Sequence, residues 1–187
     1  MRNLLIVLSG PSGVGKGTIV KRLIKKGGYA LSISCTTREP RRGEQDGREY
    51  FFITKEKFLK TKESGGFLEY SNHFENYYGT PKEFVEEKLK THNVLLEIDV
   101  DGGLQVRESH PGALLIMIAP PSNEELKRRL IGRGSEDAEK IEQRLSRMEY
   151  ELSKADEYDY TVINDDLNAA VTQIENIIKR KKEQIYD

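Results

Sequence analysis

The apolar run Leu4–Leu8 breaks abruptly into GPSGVGKGT (Gly10–Thr18), which runs on into a helix-like segment, Lys16–Lys26. A run of this length reads as a buried strand. Glycines at positions 10, 13, 15 and 17 make the following turn able to aim several backbone N–H groups into one concavity. Strand, glycine loop and helix in that order build the first unit of a parallel α/β sheet whose loop cradles a polyphosphate. Gly10, Gly15 and Lys16 fit the spacing G-x-x-x-x-G-K, and Lys16 is placed to reach the terminal phosphates.

One position departs from that pattern. The hydroxyl that ordinarily follows the lysine binds Mg²⁺, but Gly17 stands there and Thr18 comes one residue later. One step along a helix turns a side chain by about 100°, so Thr18 is expected to serve an upstream phosphate oxygen instead. Asp99, near the end of the apolar run Val94–Ile98, is then the candidate metal carboxylate, acting through water, with Glu97 second. The other reading of Asp99 is a cap for the helix that begins near DGGL.

Further apolar runs at Leu114–Ala119 and Tyr160–Ile163 read, like the first two, as strands covered on both faces. Helical segments lie between them: Pro81–Thr91 with proline at its first position, a segment capped by Ser122 with Glu125, a charged stretch capped by Ser135 and running through Lys154, and a final helix capped by Asp166 that frays in KRKKEQIYD. This alternation predicts an α/β, doubly wound parallel sheet with ligands at the carboxyl ends of its strands. All phenylalanines fall between positions 51 and 84, and that stretch predicts an inserted small α+β lobe with its own aromatic core and strands at REYFFI and FLEYS.

With 187 residues the chain suits one domain. A net charge of -1 with 33% charged residues offers no bulk attraction for nucleic acid or a membrane surface, and no segment approaches the ~20 apolar residues of a membrane span. The N-terminal apolar run stops too early, at Gly10, to read as a signal peptide. The one cysteine, Cys35, reads as a small buried residue in a reducing, cytoplasmic setting. His73, His92 and His110 have no metal-binding spacing.

The segment SCTTREPRRGEQDGREYFF gathers Arg38, Arg41 and Arg42 beside the hydroxyls of Ser34, Thr36, Thr37 and Tyr50. Arginine forks and fixed hydroxyls suit a second phosphate group, and a solvated basic loop is the alternative. GPSGVGKGT, SCTTREPRRGE, EYFF, FLEY, NYYGT, LEIDVDG, IAPPS, LKRRLIGRG and VINDDL together, in order from Leu5 to about Leu167, resemble the guanylate kinase family.

That resemblance implies a P-loop nucleoside monophosphate kinase that moves the γ-phosphoryl of ATP, with Mg²⁺, onto GMP. It implies a core (1–33, 81–126 and 156–187), a GMP-binding lobe (34–80) and a helical lid (127–155). By matching position, Arg38, Arg41, Tyr50 and Tyr78 bind the GMP phosphate, while Ser34, Glu69 and Thr80 read the base, near Asp99. Gly10, Pro11, Ser12, Gly13, Val14, Gly15, Lys16, Gly17 and Thr18 hold ATP. Asn164 matches an adenine-contacting position, with a turn or helix cap as the alternative. Lys16, Arg38 and the lid residues Arg129, Arg133 and Arg144 carry the catalysis, Gly132 and Gly134 giving the lid loop its freedom. Family members often have serine at the position of Gly17, and some have glutamine at that of Asp101.

The base-reading set also stands on chemistry. Guanine presents adjacent N1–H and N2–H donors that one carboxylate accepts together, and its O6 needs hydroxyl donors. Adenine turns a lone pair toward that carboxylate and is rejected. The remaining rivals are a kinase for AMP and a catalytically silent module that binds phosphorylated protein segments. The glycine loop and lid arginines favour an enzyme acting on small molecules, with no nucleic acid, membrane or obligate protein partner.

Overall fold

The computed structural model describes residues 3–73, 75–131 and 138–185. Strand β1 (Leu5–Ser9) leads through the glycine loop into helix α1 (Lys16–Lys26) and a short strand β2 (Tyr29–Leu31). After the second sheet come α3 (Lys82–Leu89), β7 (Asn93–Glu97), α4 (Val100–Ser109), β8 (Leu114–Ala119), α5 (Asn123–Ile131), α6 (Ala138–Ser153), a 3₁₀ turn (Ala155–Glu157), β9 (Tyr160–Ile163) and α7 (Leu167–Gln184). The main sheet has the order β2-β7-β1-β8-β9 and is parallel throughout.

The near-continuous apolar run of β1 follows from its central place. Leu4, Ile6 and Leu8 face Ile19, Val20 and Leu23 of α1 and Val171, Ile174 and Ile178 of α7. Leu5 and Val7 face the other layer, with Val85 of α3 and Val100 and Val106 of α4. Every residue of β1 is buried, as a strand covered on both faces requires. The run Tyr160–Ile163 is different: β9 is the sheet edge, only Val162 is buried, and Ile163 is 56% exposed. The expectation of cover on both faces is corrected there.

The second sheet has the order β4-β3-β6-β5, from β3 (Cys35–Thr36), β4 (Phe51–Phe52), β5 (Phe67–His73) and β6 (Asn76–Pro81), with helix α2 (Lys55–Glu63) beneath it. Phe58 of α2 is fully buried and stacks on Phe67 and Tyr77 at 4.5 and 5.3 Å between ring centroids. These rings and Cys35 make an aromatic core apart from the aliphatic one. Burial pushes the Cys35 thiol up to about 11, so it is inert. Phe74 lies outside the described residues.

Gln105 of α4 joins the sheets: its side-chain amide both accepts from Tyr70 N and donates to Tyr70 O at 3.1 Å, extending the β5 edge. Ser109 donates to Leu68 O at 2.7 Å.

Local signals set most boundaries. Ser122 accepts from Glu125 N at 3.1 Å at the start of α5, and Asp166 accepts from Ala169 N at 2.8 Å at the start of α7. Pro81 closes β6 and stands just before α3 instead of inside it. The tail expected to fray stays helical through Gln184. The expected cap Ser135 lies outside the described residues.

Candidate active site

The loop conformation explains its glycines. Gly10 and Gly15 have φ of 139° and 99°. A Cβ on Gly10 would lie 2.1 Å from Ile118 O, and one on Gly15 2.5 Å from the Asn164 amide nitrogen. Helix α1 begins at Lys16 with no acidic residue in its first turn and no side-chain cap, so its positive end faces the loop cavity. The Lys16 ammonium folds over the loop and donates to Gly10 O and to Pro11 O. Burial holds its pKa below the ordinary lysine value, against the opposing pull of Glu151, Glu97 and Asp99.

Beside Lys16 opens a cavity of about 500 Å³, walled by Gly10, Ser12, Ser32, Ser34, Tyr50, Glu97, Asp99 and Glu151 among others. A second cavity of about 480 Å³ is walled by Ser34, Arg41, Tyr50, Glu69, Ser71, Tyr78, Glu97, Ile98 and Asp99. Ser34, Tyr50, Glu97, Ile98 and Asp99 belong to both. The two spaces thus share a wall at the carboxyl end of β7, where parallel sheets place their ligands.

In the wall of the second cavity Glu69 is 6% exposed, and the Thr80 hydroxyl, fully buried, donates to its Oε1 at 2.5 Å. Ser34 Oγ lies 3.4 Å from Thr80 Oγ1. The three residues named for base reading are therefore together. Burial pushes the Glu69 carboxyl up to about 7, the negative charge of Asp99 adding to it and the Thr80 hydrogen bond opposing it.

Tyr50, Tyr78 and Arg41 also reach this wall, but Arg38 does not. Its guanidinium is gripped by both oxygens of Glu44 at 2.8 and 2.9 Å and lies 5.2 Å over the Tyr50 ring. The pairing with Arg38 and the Arg41 N–H hold Glu44 down at about 2. Glu44 was not singled out from the sequence; an acidic residue six positions after an arginine carries no signal of such a grip. Thr36 and Thr37 hold the lobe's backbone, accepting from Arg38 N and Tyr77 N at 3.3 and 3.0 Å.

Asp99 serves as the cap of α4, accepting from Gly102 N at 2.8 Å through Oδ1, while Oδ2 lies 3.6 Å from Arg147. The capping reading is therefore observed, and the same side chain also walls both cavities. Glu97 is the carboxylate nearer the departure in the loop: a Cβ on Gly17 would lie 3.3 and 3.5 Å from its two oxygens. Thr18 is exposed in the first turn of α1. Asn164 is buried and donates to Val14 O at 2.7 Å, tying the last strand to the loop; it is not the cap of α7, which is Asp166.

Arg133 lies outside the described residues, and Arg129 and Arg144 sit on α5 and α6 with side chains that lie outside them too. Among the described residues no group of three or more His, Cys, Asp or Glu side chains forms a metal site, and no helix is long and apolar enough to cross a membrane.

The family model for guanylate kinase matches residues 2–181. Guanylate kinase of Clostridium acetobutylicum is 48% identical over 97% of this chain and 87% of its own length. That of Caldanaerobacter subterraneus subsp. tengcongensis is 50% identical over 97% and 89%. The crystal structure of guanylate kinase from Anaplasma phagocytophilum superposes with a TM-score of 0.74 at 31% identity, covering 96% of this chain and 86% of that one. A sequence matched by the family model along nearly its whole length, relatives at 48 and 50% identity, and a superposing guanylate kinase structure place this chain in the guanylate kinase family.

Proposed function

We propose that the protein transfers the γ-phosphoryl group of ATP to GMP, giving ADP and GDP. The observation that carries this is the shared wall: the cavity at Lys16 and the cavity lined by Glu69 have Ser34, Tyr50, Glu97, Ile98 and Asp99 in common. ATP lays its phosphates on the amides of Gly10–Thr18, with Lys16 leaving the loop carbonyls for the terminal phosphates. Glu69 accepts from guanine N1–H and N2–H, while Thr80 and Ser34 face O6. Arg41, Tyr50 and Tyr78 hold the GMP phosphate, and Arg38 joins them from beside Tyr50.

An oxygen of that phosphate attacks the γ-phosphorus; the new P–O bond forms as the bond to the β-phosphate oxygen breaks, and its electron pair leaves with ADP. The acceptor is already an anion, so no general base is required. Charge spread over the transferring group is stabilised by fixed donors and cations. Lys16 is one of these, and Arg129, Arg133 and Arg144 are proposed as lid cations closing over it from 127–155, against the core (1–33, 81–126, 156–187) and the acceptor lobe (34–80). Asn164 supports the loop and stands beside the adenine site.

Mg²⁺ fits the residues present: Glu97 and Asp99 offer oxygen ligands at the wall near the phosphates, as suits an ion that arrives with ATP and keeps several waters. Once bound, it neutralises charge on the β- and γ-phosphates. Glu97 is the first candidate to face it, since its carboxylate lies against Gly17. ATP and GMP are the proposed partners, in a cytoplasmic setting that keeps Cys35 reduced.

Coupled ADP release with MgATP and GMP tests the proposal. GMP-dependent turnover, faster than with AMP, is expected. Absence of turnover with retained GMP binding indicates a binding module, and faster turnover of AMP overturns the role of Glu69.

A further inference from the structure

The mechanism leaves one buried carboxylate unused. Glu151 of α6 is 6% exposed and forms part of the wall of the cavity that holds Lys16. Its Oε1 accepts from Arg147 Nε at 3.1 Å. Arg147 is itself fixed from the other side: Nη2 donates to Asp101 Oδ2 at 2.8 Å, and the Tyr150 hydroxyl donates to Asp101 Oδ1 at 2.6 Å. Arg147 also lies over the Tyr150 ring at 5.2 Å. Lys16 of the glycine loop lines the same cavity as Glu151, together with Glu97 and Asp99. Burial pushes the Glu151 carboxyl up, and the charges of Arg147 and Lys16 oppose that shift.

A buried carboxylate stays ionised only beside a counter-charge. If Arg147 did not supply one, Lys16 is the cation that lines that cavity among the described residues, and a Lys16 paired with Glu151 is withdrawn from phosphate. We propose that Arg147, anchored by Asp101 and Tyr150, is a positioning residue that occupies Glu151 and so keeps Lys16 available to the donor nucleotide. The inference rests on the phosphotransferase reading of the site. Asp101 acquires a role here that its position in the sequence did not disclose.

The test compares R147Q, R147K, E151Q and R147Q/E151Q with the wild-type protein by two readouts, the KM for MgATP and the titration of the Lys16 ammonium in ligand-free, isotope-labelled protein, its resonance identified by loss in K16R. In R147Q, Lys16 is expected to titrate at higher pH and the KM for MgATP to rise about tenfold, the effect of one ion pair gained in a sheltered site. R147K retains most of the wild-type behaviour. R147Q/E151Q recovers the KM, which a merely structural role for Arg147 would not allow.

A double variant as impaired as R147Q, or an R147Q protein with unchanged Lys16 titration, overturns the proposal. Should R147Q fail to fold, E151Q decides: Lys16 must then titrate at lower pH than in the wild type, and no change sinks the idea. The titration needs no turnover, so wild-type protein that lacks GMP-dependent activity contradicts the functional reading separately.

Discussion

The Thr80 hydroxyl donates to Glu69 Oε1 at 2.5 Å inside a pocket where both residues are shielded from water. Burial and the nearby charge of Asp99 bring the Glu69 carboxyl to about 7, so near neutrality the ligand-free site carries a fraction of a proton. Guanine needs the ionised form as acceptor for its two donors. Binding therefore expels a proton below about pH 7, and GMP affinity weakens as pH falls through that value and levels off above it. Calorimetry in buffers of different ionisation enthalpy is expected to register proton release near pH 7; none, or proton uptake, would count against this role. Glu69→Gln, which puts a donor where an acceptor is required, is expected to weaken GMP by about a hundredfold, about 2–3 kcal/mol.

Lys16 donates to carbonyls of the glycine loop and lines the first cavity, while the second is walled without it. Lys16→Ala is expected to slow transfer by at least about a hundredfold while GMP binding, measured directly, stays within about threefold. A loss of GMP affinity matching the loss of rate would contradict the division into donor and acceptor sides.

Asn164 is buried and donates to Val14 O at 2.7 Å. Asn164→Ala leaves a loop carbonyl without that donor, which is expected to lower stability by about 1–3 kcal/mol and to raise the KM for ATP more than that for GMP. Equal effects on both nucleotides would point away from a tie specific to the loop.

Gly17 is the informative departure in the loop. Its backbone is not left-handed, and a Cβ there would lie 3.3 Å from Glu97 Oε1, so serine fits with a small shift of that carboxylate. Gly17→Ser is expected to fold normally and to tighten Mn²⁺ binding in the nucleotide complex several-fold, read by electron paramagnetic resonance. Unchanged or weaker Mn²⁺ binding would show that Glu97 and the waters already do all that a hydroxyl there can do.

The parts legible in the sequence are those where local chemistry and final environment agree. Lys16–Lys26 and Leu114–Ala119 have the bounds read from their patterns, because the glycine loop starts one and full burial fills the other. Tyr160–Ile163 has its bounds too, but its place at the sheet edge depends on the order of strands, which a run of four residues does not encode. β6 is not legible because NYYGTP mixes aromatic and polar residues with no apolar run, and although β5 is its hairpin neighbour, its other partner, β3, lies about forty residues away in the chain.

At the site, Glu69 is meaningful only beside Thr80 and Ser34, and the resemblance, more than periodicity, brought these together. Arg147 and Glu151 read as an ordinary four-residue ion pair on a charged helix surface. The sequence cannot say that Glu151 turns inward toward Lys16 while Arg147 reaches Asp101 across the fold.

The most direct test of the central claim is a crystal structure with a bisubstrate analogue in which adenosine and guanosine are joined through a polyphosphate bridge. The bridge is expected to run from the amides of Gly10–Thr18 past Lys16 and over the wall at Ser34, Tyr50 and Asp99, with guanine on Glu69 and Thr80. Guanine bound elsewhere, or a bridge that reaches only one of the two cavities, would contradict the account.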